Sequence, residues 1–428
     1  MTRISESTKG RSLFPFKTSG LVILVVMARW LPVIGQEPNP ALPSIKLSGY
    51  VKTDVFYDSR QVVSAREGHF LLFPAAQLLE QDGIDINSKG SFNILPIQAN
   101  MGVNVSGPSI FGGAVSALLE GDFFGQSNSD VNMFRLRHAY VKLQWSKTEV
   151  LAGQYWHPLF APSCYPGTVS FNTGSPIQPF SRAPQLRIAH SLGLLKISLS
   201  LLSQRDYASN GPDGTSSKYL RDSGIPEIQF NGEFKSKNEH EFVAGMGFGF
   251  KKLTPQIKTK SNYITNSSAS GISANVYMKK ATQLLTFKLA GYYIENGTEY
   301  LAIGGYAIKD SLDVIKGIVS YAPMRTMSCW SEIHTNGKSI QFGVFGGYTQ
   351  NLGTKSEVKG PFYLTTNMPV KSVYRISPRL TIKQNNFTLA GEVEFTSALY
   401  GTPDNHGIMR NTTKADNVRY LISVMYKF

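Results

Sequence analysis

Apolar and polar side chains alternate with a period of two through most of this chain. At 45–57, Ile45, Leu47, Val51 and Val55 interleave with Lys46, Ser48, Lys52 and Asp54, the pattern of a strand with one apolar and one wet face. The alternation returns with Ile197, Leu199 and Leu201, with Ile228, Phe230 and Phe234, and with Phe387, Leu389, Val393 and Phe395, each set separated by Ser, Thr, Asn, Gln or Glu. Helical periodicity is nearly absent; the pattern predicts one short helix, at 75–81.

The pattern predicts sixteen strands, near 45–58, 93–106, 110–121, 132–145, 148–156, 184–191, 194–204, 226–236, 239–251, 272–281, 283–295, 322–335, 339–350, 372–383, 386–397 and 417–428. Each approaches or exceeds the roughly 9–11 residues of a membrane-crossing β-strand. The connections between them alternate strictly between long and short. Long loops at 59–92, 122–131, 157–183, 205–225, 252–271, 296–321, 351–371 and 398–416 are separated by tight turns such as "SKT" and "NGK". A soluble sandwich has no need of that rule, whereas a closed transmembrane barrel with an even strand number follows it. The expected fold is therefore all-β: a transmembrane antiparallel β-barrel of about 16 strands.

Both ends of the chain add to this picture. Arg3, Lys9, Arg11 and Lys17 precede a short apolar run at 21–28, and Val33, Ile34 and Gly35 offer small residues for cleavage before Gln36. Residues 1–35 read as an export signal, too short in apolar length for a membrane anchor, and 36–428 as the barrel domain. At the far end, Tyr420, Ile422, Val424, Tyr426 and Phe428 share one face. A terminal strand ending on Phe428, with Tyr426 beside it, resembles the signal read by the barrel-assembly machinery of the outer membrane of a Gram-negative bacterium.

Composition removes several classes. The chain of 428 residues carries 42% hydrophobic and 17% charged residues, too apolar for a disordered chain. Without residues 1–35 the net charge is +10. No compact Lys/Arg run or zinc-finger spacing points to nucleic acid, so anionic solutes and outer-membrane lipid are the expected partners. The seven histidines stand in no nucleophile motif and no Cys/His spacing suits a metal, so neither an enzyme, a metal site nor a cofactor is expected. Cys164 and Cys329 could pair, but nothing fixes them in proximity. The nine residues from Gln36 to Ser44 that precede Ile45 leave no room for an N-terminal plug domain.

The loop at 157–183 is the anomaly. It holds Pro158, Pro162, Pro166, Pro176 and Pro179 and not one Asp or Glu. A loop so long is usually either functional or disordered, and its prolines stiffen it. As the third long loop it resembles the inward-folded constriction loop of general porins. The stretches "EGDFFGQSNSDVNMFRLRHAYVKLQW", "GQYWHPLF" and "SFNTGSPIQPFSRAPQLRI" resemble Bacteroidetes-type porins and the trimeric porins that pass dicarboxylates. The resemblance implies a passive channel for small hydrophilic solutes and a homotrimer.

Candidate pore-constriction residues follow from parity. Arg182 lies in the loop, Arg187 and Gln185 oppose Leu186 and Ile188, and Arg375 and Arg379 oppose Tyr374, Ile376 and Leu380. Gln154 joins them beside the loop. Rings of Arg or Lys favour anions. Arg135 and Arg137 share the parity of outward Val141 and Leu143, so either a β-bulge near His138 turns them inward or they sit at the extracellular rim. Glu227, Glu233, Glu332, Glu392 and Glu394 also face inward, and Pro378 removes a ladder donor. The bulk of the outer loops, notably 66–90, supports a second reading as a surface-binding or adhesion barrel; for that segment itself, a latch over a neighbouring subunit is the other expectation.

Overall fold

The computed structural model describes residues 43–125, 128–236 and 241–428; the expected export segment at 1–35 lies outside them. The wall is built of β1 (Ser44–Asp58), β2 (Ser91–Leu95 and Asn100–Ile110), β3 (Gly113–Asp122), β4 (Arg135–Gln144), β5 (Thr148–Trp156), β6 (Arg182–Leu192), β7 (Leu195–Leu202) and β8 (Glu227–Lys235). It continues with β9 (Phe242–Leu253), β10 (Ala269–Ala281), β11 (Leu285–Glu295), β12 (Ile318–Thr335), β13 (Ile340–Thr354), β14 (Val370–Gln384), β15 (Phe387–Pro403) and β16 (Met409–Lys427). Every neighbour pairs antiparallel, and β16 returns to β1 from Tyr50↔Lys427 to Asp58↔Arg419. The barrel is closed with 16 strands, which leaves no edge unpaired.

Two prolines mark irregularities in the ladder. β2 breaks around Pro96, and its two segments pair separately with β1. Pairing of β14 to β15 stops at Ile376↔Phe395 and resumes at Arg379↔Glu392, across Pro378, which has no N–H to give. The wall is also uneven. β7 has 8 residues and β5 and β8 have 9, whereas β12, β15 and β16 have 18, 17 and 19. At about 3.4 Å per residue, one side of the barrel stands far above the other.

Alternation sorts the side chains as expected of a barrel in lipid. On β1, Lys52, Asp54, Phe56 and Asp58 are buried inside while Val51 and Tyr57 are exposed. On β16, Tyr420 and Tyr426 flank Ile422 and Val424, all four exposed, an aromatic residue at each end of an apolar centre. Cys329 is exposed on β12 and Cys164 is buried inside the barrel, and both are free thiols.

Two long loops turn into the barrel. The hairpin of Val62–Ala65 and Phe70–Pro74 buries Phe70, Leu71, Leu72 and Phe73. It packs on the loop at 157–181 through Phe70–Phe171 and Phe70–Phe180 contacts at 5.4 and 5.2 Å, within one apolar cluster that includes Phe56, Phe124, Phe160 and Leu421. Residues 75–81 do not form the expected helix. The Asp85 carboxylate accepts from the N–H groups of Leu78 and Asn87, both at 3.0 Å, and pairs with Arg60 at 2.9 Å. These bonds hold the segment extended, and only Ile86–Ser88 makes a 3₁₀ turn.

Ile422→Arg places a charge between the tyrosines on the lipid face. It should destabilise the folded barrel by about 2–4 kcal/mol, read as a lower denaturant midpoint for the heat-modifiable folded band; an unchanged midpoint would remove Ile422 from the hydrocarbon.

Candidate functional site

The acid-free loop crosses the lumen and is held by carboxylates that project from the wall. Val169 and Ser170 donate backbone N–H bonds to Glu392 at 2.7 and 3.2 Å, and Gly167 donates to Glu332 at 2.5 Å. Asn172 donates to Glu394 at 2.8 Å, and Ser163 to Glu233. At the loop's start, His157 meets Glu227 at 2.9 Å. Irregular backbone inside a barrel must find partners for its polar groups, and charged acceptors are the strong ones. A carboxylate on the loop itself would face these glutamates as a like charge. Gln178 completes the seam by accepting from Tyr292 and Trp330, each at 2.7 Å.

Arg375 clamps both inward loops at once. Fully buried, it donates to the Ser175 carbonyl at 2.6 Å, the Leu72 carbonyl at 2.7 Å and Thr396 at 2.9 Å, with Glu394 at 3.3 Å. Arg419 on β16 supports the hairpin in the same way, bonding Asp58 and the Gly68 carbonyl at 2.6 and 2.7 Å.

The β-bulge predicted near His138 is present. Glu120 on β3 faces His138 and the next pair is Gly121↔Leu136, which leaves Arg137 as the extra residue. Leu136 is exposed on the lipid face, while Arg135 and His138 are buried. The bulge carbonyls of Leu136 and Arg137 accept from the Gln154 side chain at 3.3 and 2.9 Å. Gly153, at φ +135°, permits the close approach, since a side chain there would collide with the Ala139 carbonyl.

The structure gives carboxylate partners to most of the candidate arginines. Arg137 meets Asp122 at 2.6 Å and Glu120 at 2.8 Å. Arg135 meets Asp206 at 2.7 Å, and Arg182, stacked 3.8 Å from the Trp156 ring, meets the other oxygen of Asp206 at 3.1 Å. Desolvation alone would raise the pKa of Asp206, but Arg135 and Arg182 hold it below the usual carboxylate value. A depressed pKa means the bridge contributes stability above about pH 4 and loses it on acidification below that. Arg379 meets Glu332 at 2.6 Å. Arg135, Arg137, Arg182 and Gln154 thus gather near the start of the loop, whereas Arg375 and Arg379 stand with its middle.

Arg187 differs in having neutral partners, Ser200 and the Trp156 carbonyl, both at 3.2 Å. It lines a cavity of about 330 Å³ beneath the loop, with Lys142, Lys196, Glu149 and Glu233. Asp122, Asp206 and the 62–74 hairpin escaped the sequence reading. Asp122 follows the inward parity of Glu120, which was a usable signal; Asp206 and the hairpin reach their partners only through long-range packing.

No protein-family model and no curated sequence matches the chain. Solved structures do. The outer membrane channel DcaP of Acinetobacter baumannii superposes with a TM-score of 0.66 at 15% identity, over 90% of this chain and 97% of that one. An anion-selective porin from Comamonas acidovorans gives 0.54 at 9% identity, over 90% and 100%. OmpT, an outer membrane protein of Vibrio cholerae, gives 0.53 at 8% identity, over 92% and 100%. What these share with the chain is the fold: a 16-stranded β-barrel of the outer-membrane porin type. With its apolar outer face, the chain is an outer-membrane barrel.

Arg375→Ala leaves Glu394 without its cation and two loop carbonyls without their arginine donor. Loss of about 3–5 kcal/mol is expected, together with protease cleavage inside 157–181 of the folded protein; retained resistance would show that the clamp is dispensable.

Proposed function

We propose that the chain is a passive diffusion channel for small hydrophilic solutes in the outer membrane of a Gram-negative bacterium, with a preference for anions, and that it is not an enzyme. The observation that carries the preference is Arg187, whose guanidinium borders the lumenal cavity with neutral hydrogen-bond partners. An arginine already matched by a carboxylate adds little to the field in the pore, whereas an unmatched one attracts anions. In this reading Arg187 sets selectivity. Arg135, Arg137, Gln154 and Arg182 shape the bulged wall, and Arg375 and Arg379 hold the loop. Tyr426 and Phe428 serve the barrel-assembly machinery, surrounding lipid covers the outer face, and three copies assemble as a homotrimer.

One observation favours a surface-binding role beside permeation. The hairpin formed by Gly305–Asp313 and the start of β12 exposes Leu312, Val314 and Ile315 at 66, 83 and 88%. Ligand capture that survives a blocked pore would bring that reading forward.

Reversal potentials in planar bilayers under a salt gradient test the channel. The wild type should conduct in steady steps with anions favoured, and Arg187→Ala should lower the anion-to-cation permeability ratio about threefold, the effect of one charge acting over several ångströms of water. Correctly folded protein that does not conduct would sink the proposal.

A further inference from the structure

The geometry points to the cavity beneath the loop as a binding site for small ring-bearing organic carboxylates, a class such as the aromatic acids. This rests on the channel reading above and adds a solute class to it. The cavity is lumenal: β4 to β8 and β10 contribute inward-facing side chains, and the loop residues Pro158, Ala161, Pro162 and Ser163 roof it. Its volume of about 330 Å³ falls within the range of small-molecule sites.

The lining divides into two chemistries. Tyr140 and Tyr155 meet edge to face with ring centres 5.3 Å apart, both half-buried, so they present aromatic surface to the space between them and the loop. Arg187 lies 5.3 Å from the Tyr155 ring, and Lys142 lines the same space. A guanidinium fork matches a carboxylate, and a flat ring packs on tyrosine.

Three cations, Arg187, Lys142 and Lys196, face two acids in the cavity, Glu149 and Glu233, and only Glu149 has a cation partner. Glu149 pairs with Lys196 at 3.3 Å, and Glu233 accepts from Ser163 and, at 2.7 Å, from Tyr277. A neutral polyol asks for acceptors as well as donors, and the lining offers the Asn231 amide oxygen against the charged donors of Arg187 and Lys142. Cationic donors beside aromatic faces favour an acceptor-rich solute with a flat body.

Benzoate and acetate distinguish this site from general attraction of anions, because they share a carboxylate and differ in the ring. With the full-length protein conducting chloride in a planar bilayer, benzoate should reduce the current at about fivefold lower concentration than acetate. Tyr155→Leu and, separately, Tyr140→Leu should bring that ratio towards one, and Tyr155→Phe should keep it; heat-modifiable mobility confirms that each variant folds. Equal block by the two acids in the wild type, or an unchanged ratio in both leucine variants, overturns the site. A channel that shows no chloride preference yet keeps the benzoate-to-acetate ratio overturns the ion preference and supports the site.

Discussion

In hydrocarbon a backbone N–H or C=O has no water to turn to, and an unmet one costs several kcal/mol. That constraint shapes the wall and the lumen of this protein by different means. In the wall it forces the ladder to close from β16 onto β1. In the lumen it falls on a loop buried from water at Ser170 and Asn172, whose one 3₁₀ turn, at Pro158–Phe160, and isolated turns absorb only some of its donors. The inward glutamates of β12 and β15 meet that need, and the loop in turn carries no acid of its own. What looked like a compositional oddity at 157–183 is the complement of a wall rich in acceptors.

The same wall explains why a basic chain does not present a basic tunnel. Arg135, Arg137, Arg182, Arg375 and Arg379 each sit against a carboxylate, with distances from 2.6 to 3.3 Å. Such buried pairs give position more than net attraction, since desolvation offsets much of the Coulomb gain. In the proposed channel, selectivity would fall to the few cations without such a match, which is a smaller set than a count of inward arginines would give.

The wall was legible in the sequence because strand parity is a local property. Alternation gave the strand number, and the conflict between Arg137 and Val141 on one strand left a bulge near His138 as one of two readings, the one the ladder bears out. Two things were not legible. Residues 75–81 contain good helix formers, yet Asp85, Arg60 and the extended hairpin beside them override propensity. The pairing of Asp206 with Arg135 and Arg182 joins segments 71 and 24 residues apart, and no periodicity reports a contact of that kind. Inward direction could be read from the chain; which inward groups touch could not.

The Arg375 clamp has a consequence for the order in which the molecule comes together. Its carbonyl partners, Leu72 and Ser175, lie 303 and 200 residues earlier in the chain, and the Arg419 bond to Gly68 spans 351. Contacts so distant in sequence form late. Neither inward loop acquires its arginine clamp until the last third of the chain has joined the sheet, so the lumen of a growing barrel narrows fully only as the seam between β16 and β1 closes.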